Sequence, residues 1–384
     1  MSRSLKMKIL YVTTISNTLN AFFIPHIEQL VEDGHTVDVA CKLERPFEDN
    51  LLSLVGVTYE LPFSRSPLRN PYKELIGQLR DVVKNGGYDI VHTHTPIASA
   101  IVRLACRNLP NVRVFYTAHG FHFLKGSPLF NWLTYYPIEK ILSRYTDTLI
   151  TINHEDYAIA KKNFQMKHLY LVNGVGIDTE KFQPVNEEEK SELKKRLGFD
   201  ANKKYLIFVG ELNANKNQTV LIEMMEQLSK KRQDLVLLLV GHGVLADTYQ
   251  QQVDEKQLGD FVHLLGYRSD VPDLMKISEL ALSSSKREGL PVNLIEAMAT
   301  GLPLVVSNCR GNRDLVETGQ NGIVLKEATA EAFADAVEQL IDDEELYQKM
   351  QVASMKNAKE YSLVQIKTQL KTIYEKVRNE EENE

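Results

Sequence analysis

Short, nearly continuous apolar runs alternate along the chain with stretches whose apolar positions recur every three or four residues. In the first half the runs are MKILYVTT (7–14), HTVDVACK (35–42), VTYELPF (57–63), DIVHTHT (89–95), VRVFYTAHG (112–120), TLITIN (148–153) and LYLVNG (169–174). Apolar and β-branched residues fill them with little alternation, as strands covered on both faces require. Between them, segments such as FFIPHIEQLVEDG and PYKELIGQLRDVVKNGG carry helical spacing and close on glycine. Strand–helix alternation of this kind predicts parallel sheets with right-handed crossovers.

The pattern breaks after residue 174. Residues 175–203 are rich in charge, Gly, Asn and Pro, and read as a linker followed by the first helix of a second domain. Alternation then restarts with YLIFVG (205–210), LVLLLVG (235–241), VHLLGY (262–267), LALSSS (280–285), PLVVSN (303–308) and GIVL (322–325). The expected architecture is α/β, with two facing Rossmann-like, doubly wound parallel-sheet domains. The first spans 1–174 and the second 175–355. From about residue 328 the pattern is three successive helices, and the last, within 356–384, is expected to pack back towards the first domain. Ligands of such sheets sit beyond the carboxyl ends of the strands, so a cleft between the domains is the expected site.

Composition narrows the class. The 384 residues are 43% hydrophobic and 25% charged, the balance of a folded chain. Cys41, Cys106 and Cys309 are widely separated and form no CxxC, which points to a reducing compartment without structural zinc. No apolar run is long enough to span a bilayer, and the N-terminus reads as a buried strand rather than a leader. Residues 1–178 hold 19 Lys and Arg against 16 Asp and Glu, whereas 179–384 hold 26 against 35. The basic excess concentrates in 61–144, with 11 basic and 4 acidic side chains. Only the first half is therefore suited to an anionic surface. Nucleic acid is not an expected partner, because no binding motif accompanies the charge.

The chemistry concentrates in SSSKREGLPVNLIEAMATGLPLVVSN (283–308), read as strand end, loop, helix and strand. Glu288 then lies just beyond a strand, Gly289 permits close approach of a ligand, and Pro291 suits the start of a helix. The N–H groups opening that helix form an anion site suited to a diphosphate. Glu296 lies inside the helix, where it could accept hydrogen bonds from sugar hydroxyls. Either glutamate alone would read as a solvated surface charge; the whole string, placed between two strands, does not.

This string resembles the E-x7-E signature of retaining glycosyltransferases of family 4, whose members have the two-domain glycosyltransferase-B architecture. The resemblance covers nearly the whole chain. VNGVGIDTEKF (172–182) is similar to the family's interdomain segment, YLIFVGELNANKN (205–217) to its phosphate loop, and VHLLGYRSDVPDLM (262–275) to its base-binding segment. The resemblance implies that Glu288 contacts the donor sugar or leaving phosphate, and that Glu296 holds the ribose hydroxyls. Gly289, Leu290, Pro291 and Val292 would border the diphosphate, with Gly210, Glu211, Tyr267 and Arg268 also on the donor side. Lys216 would neutralise charge developing on the departing nucleotide diphosphate, where a fixed cation acts most strongly. Glu211 is a departure, since the family usually carries a basic residue there. Either a second cation comes from elsewhere, with Arg287 and Arg310 the candidates, or the diphosphate makes fewer contacts.

His119 follows a strand and precedes Gly120; the family places a histidine there, beside the donor sugar, and His122 is the rival position. His92 and His94 share one face of a strand but have no carboxylate or cysteine partner, so they read as cleft-lining residues rather than zinc ligands. No metal site or other cofactor is expected, and family members commonly need no divalent ion. After the first strand, Ser16, Asn17 and Asn20 read as a polar turn on the acceptor side.

FHFLKGSPLFNWLTYYPIEKILSRYTD (121–147) joins aromatic residues, including the lone tryptophan Trp132, to Lys125, Lys140 and Arg144; FSRSPLRNPYKEL adds Arg65 and Arg69. This composition suits an anionic lipid interface, and equally a core of aromatics beneath a solvated basic face. The expected function is transfer of sugar from a nucleotide-sugar, with UDP-sugar the first choice. The expected acceptor is a polyprenyl-diphosphate-linked saccharide for capsule, exopolysaccharide or O-antigen synthesis. The expected location is cytoplasmic, peripheral at the inner membrane face. The alternatives are a sugar-nucleotide 2-epimerase or an inactive scaffold of a synthesis complex. A dinucleotide dehydrogenase is disfavoured because no G-x-G-x-x-G follows the first strand.

Overall fold

The computed structural model describes residues 6–64, 71–124 and 127–381. Arg65, Arg69, Lys125 and the last three residues lie outside the described residues. The chain divides into two compact units: Met1–Val175 with Ile366–Glu384, and Gly176–Gln365.

The first unit holds seven strands: β1 (Lys8–Ile15), β2 (Thr36–Lys42), β3 (Thr58–Glu60), β4 (Ile90–His94), β5 (Arg113–Ala118), β6 (Thr148–Thr151) and β7 (His168–Leu171). They form one parallel sheet in the order β3-β2-β1-β4-β5-β6-β7. The second unit holds β8 (Lys204–Val209), β9 (Leu235–Val240), β10 (Val262–Gly266), β11 (Ser278–Ser283), β12 (Leu304–Ser307) and β13 (Gly322–Leu325). Its sheet is also parallel, in the order β10-β9-β8-β11-β12-β13. Each apolar run of the sequence supplies one strand. β4 and β9 are buried at every position because helices cover both faces of their sheets.

Local chemistry sets the helix ends. The Tyr72–Gly86 helix stops at Gly87, whose φ of +62° suits a residue without Cβ. The Glu187–Arg196 helix opens on a capping box in which Asn186 and Glu189 satisfy each other's backbone N–H groups. The C-terminal helix Leu363–Glu381 completes the first unit from Ile366 onward. There it buries Ile366, Ile373, Tyr374 and Val377, and the Tyr374 hydroxyl hydrogen-bonds His92 Nδ1 at 2.6 Å.

The segment after β1 differs from the expected turn. Ser16–Thr18 is helical, Leu19–Phe23 is a π-turn, and Ile24–Glu32 continues as α-helix. The polar side chains that suggested a turn reach across to a distant loop instead. Ser16 Oγ accepts from the N–H groups of Glu44 and Arg45, and Asn20 Nδ2 donates to Pro46 O. Such bonds across 26 to 29 residues favour continued helix over local closure.

In each sheet the strand order reverses once, between β1 and β4 and between β8 and β11. Sheets of this kind bind ligands beyond the carboxyl ends of the strands at the point of reversal. Lys216 and Glu288 stand on the loops that leave β8 and β11.

Candidate active site

In the second unit, the loop after β8 carries Lys216 and the loop after β11 carries Glu288. Lys216 Nζ lies 2.6 Å from Glu288 Oε1, with both side chains more than four-fifths buried. Asn213 Oδ1 accepts from the N–H groups of Asn215 and Lys216, Ser284 Oγ donates to Lys216 O, and Lys286 N–H donates to Asn215 O. The two loops are thus laced together, and the cation is held rather than waving in solvent.

Beyond Glu288 the chain turns into the Val292–Ala299 helix, with Pro291 at the N-cap. Proline has no N–H to spare, so the free donors at this helix mouth are those of the residues after it. Asn293 Nδ2 donates to Val209 O at 2.7 Å and pins the helix start to the end of β8. Glu296 sits further in. Withdrawal from water pushes its carboxyl up to about 7, against the opposing pull of Lys181.

Gly311 escaped the sequence reading, and the contact that the candidate cation Arg310 makes was not visible there. Arg310, 4% exposed, donates from Nε to Glu288 O at 3.2 Å, so of the two candidate cations it belongs to the Glu288 turn. Arg287 instead contacts Asn215 from an exposed position. Gly311 permits that approach, because a Cβ there would stand 2.6 Å from Gly289 O. The signal was CRGNR immediately after a strand end, which is weak without a structure.

The other donor-side candidates are more peripheral. Gly210 (φ +157°) is packed so closely that a Cβ on Gly241 would meet its carbonyl oxygen at 2.0 Å. The Glu211 carbonyl accepts from Gln218 Nε2, while the residue itself is exposed. Tyr267 is exposed and stacks with His242, and Arg268 is tied to Asp270 by two hydrogen bonds. Leu290 is buried and Val292 half-buried.

In the first unit, His119 follows β5 and its Nε2 lies 3.2 Å from His94 Nδ1. His26, His92 and His94 join it around a small cavity also lined by Phe23 and Thr117. His92 is engaged on both nitrogens, by Tyr374 and by Thr117 Oγ1, so its role is structural. Burial pulls the pKa of His119 down to about 4, with His26 adding a smaller push. The imidazole is neutral at physiological pH. His122, the rival, is exposed and stacks on Tyr135. Of the acceptor-side candidates besides His119, Ser16 and Asn20 hold the 44–48 loop, whereas Asn17 Oδ1 is buried without a protein partner. Thr95, between β4 and the Pro96–Cys106 helix, holds a φ of +56°, a strained setting for a β-branched residue. Among the described residues no three His, Cys, Asp or Glu side chains gather as a metal site.

Residues 26–181 match the family model Glycosyltransferase Family 4, and residues 189–357 match Glycosyl transferases group 1. EpsD of Bacillus subtilis (strain 168), named as a glycosyltransferase, is 37% identical, the match covering 96% of each chain. The Escherichia coli UDP-Gal:alpha-D-GlcNAc-diphosphoundecaprenol alpha-1,3-galactosyltransferase is 31% identical over 84% of each chain. Among solved structures, Anabaena HepE in complex with UDP and glucose superposes with a TM-score of 0.79 at 19% identity, covering 96% of this chain and 99% of that one. Sucrose-phosphate synthase from Thermosynechococcus elongatus gives 0.81 at 18% identity, covering 97% and 100%. The chain belongs to glycosyltransferase family 4 and is a sugar-transferring enzyme built on the two Rossmann-like units of the glycosyltransferase-B fold.

Proposed function

We propose that this enzyme transfers a hexose or N-acetylhexosamine, with retention of configuration, from a UDP-sugar to a polyprenyl-diphosphate-linked saccharide in cell-surface polysaccharide synthesis. The observation that carries the reading is the Lys216–Glu288 pair beside the mouth of the Val292–Ala299 helix, with Arg310 behind it. A helix mouth and two cations suit a diphosphate whose charge grows as it leaves. The Escherichia coli relative, named for a UDP-sugar donor and a diphosphoundecaprenol acceptor, supports the substrate classes. In this proposal the acceptor hydroxyl oxygen bonds to the sugar's anomeric carbon as the bond to the diphosphate breaks. The hydroxyl proton passes to the departing phosphate oxygen. Lys216 and Arg310 serve as the cations, and no divalent ion is called for. His119 keeps the sugar-orienting role that the family resemblance gives it. The enzyme works as a peripheral protein at the cytoplasmic face of the membrane.

The test is incubation with a panel of UDP-sugars and lipid-extract acceptors, followed by mass spectrometry. Growth of a lipid-linked product by one sugar is expected. Conversion of a UDP-sugar to its epimer without acceptor would instead identify an isomerase.

Glu296 is proposed to bind the ribose hydroxyls through its carboxylate. With its pKa raised to about 7, the ionised fraction rises about tenfold between pH 6 and pH 8. UDP affinity measured by calorimetry is expected to rise by a similar factor over that range. Glu296→Gln should weaken binding and flatten the profile; an unchanged profile in the variant would remove Glu296 from the ribose site.

A further inference from the structure

The Leu129–Leu142 helix, LFNWLTYYPIEKIL, is apolar on nearly every side, yet only one side is packed. Its inner face sets Trp132, Tyr135 and Tyr136 against a core that includes Phe121, Phe123 and Phe164. Glu139 on that face is buried and pairs with Arg103 at 2.8 Å. The opposite face is formed by Phe130, Leu133, Pro137 and Ile141, at spacings of three and four residues, with Leu129 and Ile138 beside them. Leu129, Phe130, Leu133, Ile138 and Ile141 are each 50% to 71% exposed. Trp132, Tyr135 and Tyr136 are therefore packed inward, and the surface feature is an apolar stripe of Phe130 and aliphatic side chains.

The charges on this face have one sign. Lys140 and Arg144 are its exposed ionic groups, and the one acid of the helix is the buried Glu139. Lys140 Nζ lies over the Tyr136 ring at 5.8 Å, close to the border of the stripe. An apolar stripe bordered by cations and free of exposed acid complements the interface of an anionic bilayer. At 14 residues the helix is about 21 Å long, and no helix among the described residues is long and apolar enough to cross a membrane. It can lie in the interface but cannot span it.

We infer that the outer face of the Leu129–Leu142 helix docks the enzyme on anionic phospholipid, with Phe130, Leu133, Ile138 and Ile141 entering the interface and Lys140 and Arg144 meeting headgroup phosphates. This deepens the proposed function by naming the element that brings the enzyme to its acceptor. It rests on that reading for its purpose only, because vesicle binding needs no sugar.

The experiment is co-sedimentation of the full chain with vesicles of phosphatidylglycerol and phosphatidylethanolamine, and with vesicles of phosphatidylcholine alone. Binding to the anionic vesicles, weakened by salt, is expected. Leu133→Ser/Ile141→Ser should reduce the apparent affinity at least about tenfold, from the loss of two buried aliphatic side chains, and Lys140→Ala/Arg144→Ala should reduce salt-sensitive binding. Trp132 fluorescence and the thermal midpoint establish that each variant is folded. Absence of vesicle binding, or equal binding by the Ser variant, overturns the inference. So does a dimer in sedimentation velocity that the Ser variant dissolves while no protein pellets with lipid, since the stripe would then belong to a second copy. Transfer to a water-soluble acceptor should survive in the Ser variant. A chain that binds vesicles but transfers nothing would leave the docking face standing and remove the proposed function.

Discussion

Lys216→Ala is expected to lower kcat for sugar transfer by about 10²–10³-fold, the usual effect of removing a preorganised charge-stabilising group. The side chain is held in place, because Asn213 and Ser284 fix its backbone and Glu288 holds its ammonium group at 2.6 Å. Little reorganisation is then needed as negative charge builds on the leaving diphosphate. Glu288→Gln separates catalysis from folding and binding. The amide can still accept from Lys216, so the loops stay laced, but the negative charge that repels a diphosphate is gone. UDP affinity should hold or tighten while kcat falls, the pattern of a group whose contribution is made in the transition state. The measurements are initial rates with the identified donor and acceptor, UDP calorimetry, and thermal midpoints of both variants. If UDP affinity, kcat and thermal midpoint fell together in Glu288→Gln, the pair would be a structural strut and the site would lie elsewhere.

What was readable from the sequence follows the range of the interactions that make it. The strands were legible because burial on both faces writes itself into contiguous residues, as in LVLLLV at β9. The Glu288–Glu296 string was legible for the same reason, since turn, helix start and both carboxyls fall within nine residues. Contacts assembled over long separations were not. Arg310 was one of two candidate cations, but its reach to Glu288 from 22 residues on, with Gly311 leaving room, was not visible. Ser16, Asn17 and Asn20 have the composition of a turn, yet the 44–46 loop captures Ser16 and Asn20 and leaves the segment helical. The sequence singled out His119 but did not show the company it keeps. His26 Nε2 donates to Val175 O across 149 residues, and His92 finds Tyr374 across 282. The aromatic segment 121–147 was ambiguous because a helix with two apolar faces has no periodicity to tell the packed one from the bare one.

That histidine cluster sets the second large effect: the first unit is expected to lose stability steeply as pH falls from about 6.5 towards 4. Burial pulls His26 and His119 to about 4 and His92 to about 3, and drives His94 well below its ordinary value. Lys367 adds to the shift at His26, and each of the other three is further depressed by neighbouring imidazoles. All four are neutral in the folded state, whereas in the unfolded chain they bind protons below about pH 6.5. The unfolded state therefore holds more protons in this window, and unfolding free energy falls with falling pH. Their contribution is fully present above pH 6.5 and is lost as pH drops towards the folded values. Each histidine costs up to about 1.4 kcal/mol per pH unit in this window, so the four together cost up to about 6 kcal/mol per pH unit, against a whole-domain stability of about 5–15 kcal/mol. Trp132 is the chain's lone tryptophan and packs on Phe123 and Tyr136 within this unit, so its fluorescence follows the first unit selectively. The urea midpoint read at Trp132 should fall sharply between pH 7.5 and pH 5. His94→Gln should make that fall shallower by roughly a quarter, one histidine of four. A Trp132 midpoint that stays level across this range would mean that the four rings are already protonated or hydrated in the folded enzyme. The neutral imidazole assigned to His119 would then have to be abandoned.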